Sequence, residues 1–292
     1  MGKKGKKAQA GRPKKVTPKD ISKKLDALIT NLEEELKGAD LFAPLPPTED
    51  CPVCLLPLPH IHSEIVYHSC CGKDICGGCF RENRRIIETR NETRSSKNKA
   101  PIPYTCPFCR APTCPKPEDE IQRVEAIVSR TNDHRGLIAL AQYVYSHDKQ
   151  KALGYWIRAA ELGSEEACTN IALSYRRGLV GSVDEERAKF FDRIGALRGC
   201  IIARHRCGRD DYYSGNFEGG IRHWKIAAEA GNQLSLNRLR DIYNADGKMP
   251  GKELISKEYL DRAFRKCAMM LRKKSRARIG RDIAFYQGKC VK

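Results

Sequence analysis

Nine of the fourteen cysteines fall between Cys51 and Cys114, and six of them form three C-x2-C pairs. The pairs are Cys51 with Cys54, Cys76 with Cys79, and Cys106 with Cys109. A pair spaced this way presents two thiolates from one tight turn, which suits tetrahedral zinc. Three pairs make six ligands, two short of the number that two zinc ions need. The missing two must come from the stretch 68–73, HSCCGK, which offers His68, Cys70 and Cys71. A protonated lysine has no lone pair, so Lys73 cannot serve. In a reducing compartment, cysteines in such pairs are metal ligands far more often than disulfides. The scattered Cys168, Cys200, Cys207, Cys267 and Cys290 read as small core residues or surface thiols.

The elements around this block follow from apolar spacing. Ile21, Leu25, Leu28, Ile29, Leu32 and Leu36 recur at helical intervals between Pro18 and Lys37. The proline-rich stretch FAPLPPTED, residues 42–50, reads as an extended linker. From about Pro117 the pattern is helical and carries an internal period. The segments YWIRAAELG, FFDRIGALRG and HWKIAAEAG close on Gly163, Gly199 and Gly231, at intervals of 36 and 32 residues. Each has a helical stretch upstream, and a fourth, degenerate unit runs from NRLRDIYNADG to KEYLDRAFRKC. The expectation is one antiparallel helix pair per unit. Small residues such as Ala139, Ala141, Ala160, Ala172, Ala227 and Ala228 permit close approach, and Trp156, Phe190 or Phe191, and Trp224 fill the space between units.

These residues, KALGYWIRAAELG above all, resemble the Sel-one-like subclass of tetratricopeptide repeats over roughly residues 132–267. The resemblance implies a scaffold for protein partners. The cysteine block, residues 51–110, resembles a RING finger, whose eight ligands interleave into two zinc sites. Carried over by position, Cys51, Cys54, Cys76 and Cys79 take the first ion. The second takes Cys106, Cys109, Cys71 and one more. Lys73 stands where the family's next ligand falls. Cys70 is preferred as its replacement, with His68, at pair spacing from Cys71, as the alternative. His60 and His62 lie where the family has no ligand and read as solvent-exposed, and Cys114 reads as a free thiol. The resemblance further implies that Val53 and Pro107 contact a ubiquitin-conjugating enzyme and that Arg110 holds the donor ubiquitin. Residues 80–105 are expected to begin as a helix and continue as a polar, basic, mobile insertion.

The fold class expected is therefore a small zinc-stabilised α+β RING finger joined to an all-α solenoid. The division reads as a basic tail (1–17), a helix and linker (18–50), the zinc module (51–114), about four repeat units (117–267) and a basic C-terminal tail (268–292). The function expected is a ubiquitin-protein ligase whose repeats recruit substrate, with two zinc ions per chain. The alternative is a zinc-stapled scaffold without ligase activity.

Charge bounds the remaining classes. The formal net charge is +18, and residues 1–24 and 257–292 each contribute +9, so the middle of the chain is neutral. Basic ends without interleaved aromatics give weak grounds for nucleic-acid binding and fit solvated tails better. No apolar run approaches the ~20 residues of a membrane span. The lysine-rich start lacks the apolar core of a secretory signal, and Lys6 departs from the myristoylation pattern. The chain is thus expected to be intracellular, in cytosol or nucleus, with GRPKK (11–15) tipping toward the nucleus. No Ser/His/Asp set, carboxylate pair, phosphate loop or HExxH motif argues for a catalytic pocket of its own.

Overall fold

The computed structural model describes residues 17–60, 64–114, 116–245 and 249–267. Residues 1–16 and 268–292, which make up the basic tails apart from Thr17 and include Cys290, lie outside the described residues, as does His62. Helix α1 spans Pro18–Leu36 and starts on a capping box, in which Thr17 and Asp20 satisfy each other's backbone N–H groups. Its buried stripe is Ile21, Leu25, Leu28 and Leu32. A two-stranded antiparallel sheet follows, β1 (Ile65–His68) and β2 (Lys73–Cys76), and then α2 (Gly77–Ser95).

From there the described chain is helical: α3 (Pro117–Thr131), α4 (His134–Val144), α5 (Lys149–Glu161), α6 (Glu165–Arg176) and α7 (Glu185–Leu197). It continues with α8 (Ile201–Tyr213), α9 (Phe217–Glu229), α10 (Gln233–Asn244), a short 3-10 turn at Lys252–Leu254 and α11 over 257–267. Polar caps set the starts: Asp148, Ser164, Asp184, Asn216 and Asn232 each accept a first-turn N–H. Gly163, Gly199 and Gly231 follow the ends of α5, α7 and α9 at φ of 90°, 106° and 96°, a left-handed turn that glycine makes without steric cost.

The helices pack as antiparallel pairs, α4 with α5, α6 with α7, α8 with α9, and each pair stacks on the next. This is a helical repeat solenoid. Ala141, Ala160, Ala172, Ala227 and Ala228 are buried at the crossings, whereas Ala139 is half-buried. Of the two candidate phenylalanines, Phe191 is the core residue and stacks on Tyr175 at 5.8 Å, while Phe190 packs on it edge-on. Trp224 is buried between α8 and α9, and its indole N–H donates to the His205 carbonyl at 3.0 Å. Cys168, Cys200, Cys207 and Cys267 are buried thiols of this core.

Helix α1 is not a free arm. It lies across α5 and α7, and Arg198 donates to both carboxylate oxygens of Glu35, at 2.8 and 2.6 Å. The return from α2 also differs from the expected mobile insertion. The helix runs on to Ser95, and the segment after it is tied back along it. Asn91 exchanges two hydrogen bonds with the backbone of Ile102, and Asn83 donates to the Thr105 carbonyl. Side-chain amides spaced at 83 and 91 do for this segment what a ladder does for a strand.

Candidate metal centre

Two turns of the same design frame the cysteine module. In one, Leu55 N–H donates to the Cys51 carbonyl and Cys51 N–H to the Leu56 carbonyl, both at 2.8 Å. In the other, Arg110 N–H donates to the Cys106 carbonyl at 3.0 Å and Cys106 N–H to the Ala111 carbonyl at 2.8 Å. Leu55 and Arg110, the residues after the second cysteine of each turn, have φ of 57° and 63°. That conformation is uncommon for residues other than glycine, and here a hydrogen-bonded loop imposes it twice. The third pair, Cys76 and Cys79, starts α2, where the Cys76 side chain accepts from the Cys79 N–H at 3.4 Å.

These elements gather the thiols into two groups: Cys51, Cys54, Cys76 and Cys79, and separately Cys70, Cys71, Cys106 and Cys109. Within each group the sulfurs lie within 4.8 Å of one another. Individual Sγ separations are 3.9 Å for Cys51–Cys79, 3.8 Å for Cys54–Cys76, 3.9 Å for Cys71–Cys106 and 3.3 Å for Cys70–Cys109. A disulfide needs about 2.05 Å, whereas four sulfurs about 2.3 Å from one zinc sit roughly 3.8 Å apart. Three of the four separations match that spacing and the Cys70–Cys109 pair is closer, so the groups suit a tetrahedral soft cation and form no bridge. The groups interleave along the chain, so each crosses the other's connections.

Crowded thiols cannot all ionise unaided. In the first group the contacts with Cys51 and Cys76 push the Cys79 thiol up, while contacts with Cys76 and Cys79 hold Cys51 down. In the second, burial pushes Cys70 up, and Cys71 up to about 11. A divalent cation held by either group would lower all four of its thiols and keep them as thiolates. Backbone N–H groups already point at three of the sulfurs, Cys76 N–H at Cys51, Cys79 N–H at Cys76 and Phe108 N–H at Cys106, each at 3.4 Å.

The hairpin separates Cys70 from His68. His68 ends β1, in register with Lys73, and the chain then turns with the Gly72 N–H donating to the His68 carbonyl at 2.8 Å. Cys70 and Cys71 sit in that turn and reach the second thiol group. The His68 ring is buried instead beside Phe80, at 5.8 Å between centroids, and is not in either group. Lys73 is exposed. His60 is half-buried rather than exposed. It lines a cavity of about 340 Å³ between the linker, the module and the first repeat units. Cys114 joins neither group.

Val53 is half-buried against the first thiol group, Pro107 is half-buried, and Arg110 is exposed. Sequence reasoning missed the apolar residues beside them. Leu55, Leu56 and Phe108 are 75%, 43% and 45% exposed. Large apolar residues inside short, otherwise metal-binding turns were the available signal, because such turns have no core to put them in.

The module is seated on the solenoid. Ser69 donates to the carboxylate of Glu120 on α3, and Arg123 donates to the Pro112 carbonyl at 3.2 Å. Arg135 on α4 collects Glu49 at 3.0 Å, Asp133 at 3.2 Å and Asp74 at 3.6 Å, which ties the linker and β2 to the first unit. Among the described residues, no helix is long and apolar enough to cross a membrane.

No family model matches this sequence, and no curated protein matches it. Among solved structures the chain is similar to a Sel1 repeat protein from Oxalobacter formigenes, with 23% identity and a TM-score of 0.42. The similarity covers 50% of this chain and 64% of that one, so the chain spans less than two thirds of the protein it matches.

Proposed function

We propose that the two thiol groups hold two zinc ions and that the module they brace recruits a ubiquitin-conjugating enzyme, with the solenoid holding protein substrate. The observation that carries this reading is the pair of interleaved four-cysteine groups, each of which includes one turn with exposed apolar side chains, Leu55 and Leu56 in the first and Phe108 in the second. Cys51, Cys54, Cys76 and Cys79 hold the first ion, and Cys70, Cys71, Cys106 and Cys109 the second. Zinc here is a structural staple: it fixes the turns that present Val53, Leu55, Leu56, Pro107 and Phe108 as an apolar contact surface.

The chain supplies no nucleophile in this reading. A substrate lysine amine attacks the thioester carbonyl of ubiquitin carried by the conjugating enzyme. The carbon–sulfur bond breaks, an amide forms, and the thiol leaves with the conjugating enzyme. What this chain contributes is orientation, which removes an entropic cost from the barrier. The exposed Arg110 holds the donor ubiquitin by hydrogen bonds from its guanidinium.

The test is a reconstituted ubiquitination assay against a panel of conjugating enzymes. Chains should form with the native protein and vanish with Val53→Ala or Arg110→Ala while zinc content stays unchanged. Absence of chains with every conjugating enzyme, from protein carrying both ions, would replace this reading with that of a non-catalytic zinc-stapled scaffold.

A further inference from the structure

Between the end of α1 and Cys51 the chain crosses the second and third repeat units as a strap. Not one residue from 37 to 50 is buried, yet what lies beneath is. Arg204 on α8 is 1% exposed and His223 on α9 is 1% exposed. Arg204 donates to the Leu41 carbonyl, and to the Ala196 carbonyl at 2.7 Å. Its Nε has no hydrogen-bond partner among the described residues, and the guanidinium makes no ion pair among them. Phe42 lies between the Arg222 guanidinium, 4.0 Å from the ring centroid, and the His223 ring at 4.7 Å. Asp40 shapes the approach: its carboxylate accepts from the Phe42 N–H at 2.8 Å and its carbonyl from the Ala43 N–H at 3.1 Å. Pro46 then rests on Gly199, where a side chain would meet its ring at 2.8 Å.

This is an asymmetric contact. A buried cation hydrogen-bonded only to carbonyls, with the nearby Asp40 carboxylate engaged by the Phe42 N–H instead, is an expensive arrangement. A carboxylate brought to it makes a stronger, charge-assisted bond than the Leu41 carbonyl does. The strap that covers it has no buried side chain and no regular hydrogen-bond ladder, the properties of a segment that opens locally. Its ends stay anchored, by Leu32 in α1 (4% exposed) and by Cys51 in the module (0%).

We propose that Arg204, Arg222 and His223 form a peptide-binding site filled in cis by residues 40–46. A partner segment carrying an acidic residue two positions before an aromatic one takes their place. Arg204 pairs with the incoming carboxylate, and the aromatic ring enters between Arg222 and His223. This assignment stands independently of the ligase reading.

The test uses the full chain and a fluorescent peptide of residues 38–45, GADLFAPL, as the probe. Phe42→Ala empties the ring slot and should bind the peptide at least tenfold more tightly than the native protein, by anisotropy. A peptide with alanine at both the acidic and the aromatic position should lose that binding, and adding Arg222→Ala to the protein should weaken it. Equal binding by native and Phe42→Ala protein, or none by either, overturns the proposal. Hydrogen exchange on the native protein covers the case in which Phe42→Ala does not fold. Amides of 40–46 should exchange at least a hundredfold faster than those of Leu25–Leu32, and equal protection overturns the proposal as well.

Discussion

The turn that carries Cys71 rests directly on the repeat array: a Cβ built at Gly72 would lie 3.7 Å from Cγ2 of Ile127 on α3. Gly72 has φ of 65°, so the residue also makes the turn possible. Holding the second thiol group together therefore holds one wall of α3. Metal removal by a strong chelator should raise hydrogen exchange in α3 and α4 along with the module, while α9 and α10 stay protected. Unchanged exchange in α3 and α4 on metal loss would show that the two parts are merely adjacent.

Zinc stoichiometry separates the two candidates for the eighth ligand. The protein should carry two ions per chain, and Cys70→Ser should lose one. His68→Ala should keep both, because its ring packs on Phe80 and lies outside the thiol groups. Measured metal content with the opposite pattern would return the ligand to His68. The His68 change should still cost stability, since it removes a buried ring from beside the hairpin.

Local spacing carried much of this into view beforehand, and distance in sequence hid the rest. The C-x2-C turns, the glycine-closed helices and the α1 stripe all depend on residues within a few positions of each other. Cys70 was preferred over His68 on chemistry, but the strand register that turns His68 away is a property of the hairpin. Contacts such as Glu35 with Arg198, or Leu41 with Arg204, join positions with no local pattern to announce them. The expectation of a mobile insertion failed for the same reason: charge suggested solvent, while Asn83 and Asn91 found backbone partners on the returning chain.

Glycine substitutions test the helix crossings in opposite directions. At Gly208 a Cβ would sit 2.7 Å from the Trp224 ring and 2.9 Å from the Gly220 carbonyl oxygen. Gly208→Ala should destabilise by about 1–3 kcal/mol, because a backbone oxygen and a fully packed indole cannot give way. Gly154, within α5, has only Ile21 Cδ1 nearby, at 3.9 Å. Gly154→Ala should stabilise by about 0.5–1 kcal/mol through helix propensity and added contact with α1. Denaturant melts of both variants check the pair, and a loss of stability at Gly154 would mean that α1 sits closer to α5 than described.

Two histidines in the third unit should make the solenoid acid-sensitive. Burial, then Arg204, Arg193 and Arg222, push His223 down to about 4. Burial, then Arg238, Arg209 and Arg206, push His205 down to about 4 as well. In the unfolded chain both titrate near 6.5. Protons therefore bind the unfolded chain first as pH falls. The stability that the neutral rings contribute is whole above 6.5 and is lost as pH drops from there toward 4. For the deeply buried His223 the slope approaches ~1.4 kcal/mol per pH unit, and for the less enclosed His205 it is smaller. Asp192, which burial raises, works in the opposite sense, so the comparison must be with a variant. Urea midpoints at pH 7.5 and pH 5 should fall further apart in the native protein than in His205→Asn/His223→Asn. An equal fall in both would assign the acid sensitivity to the carboxylates instead.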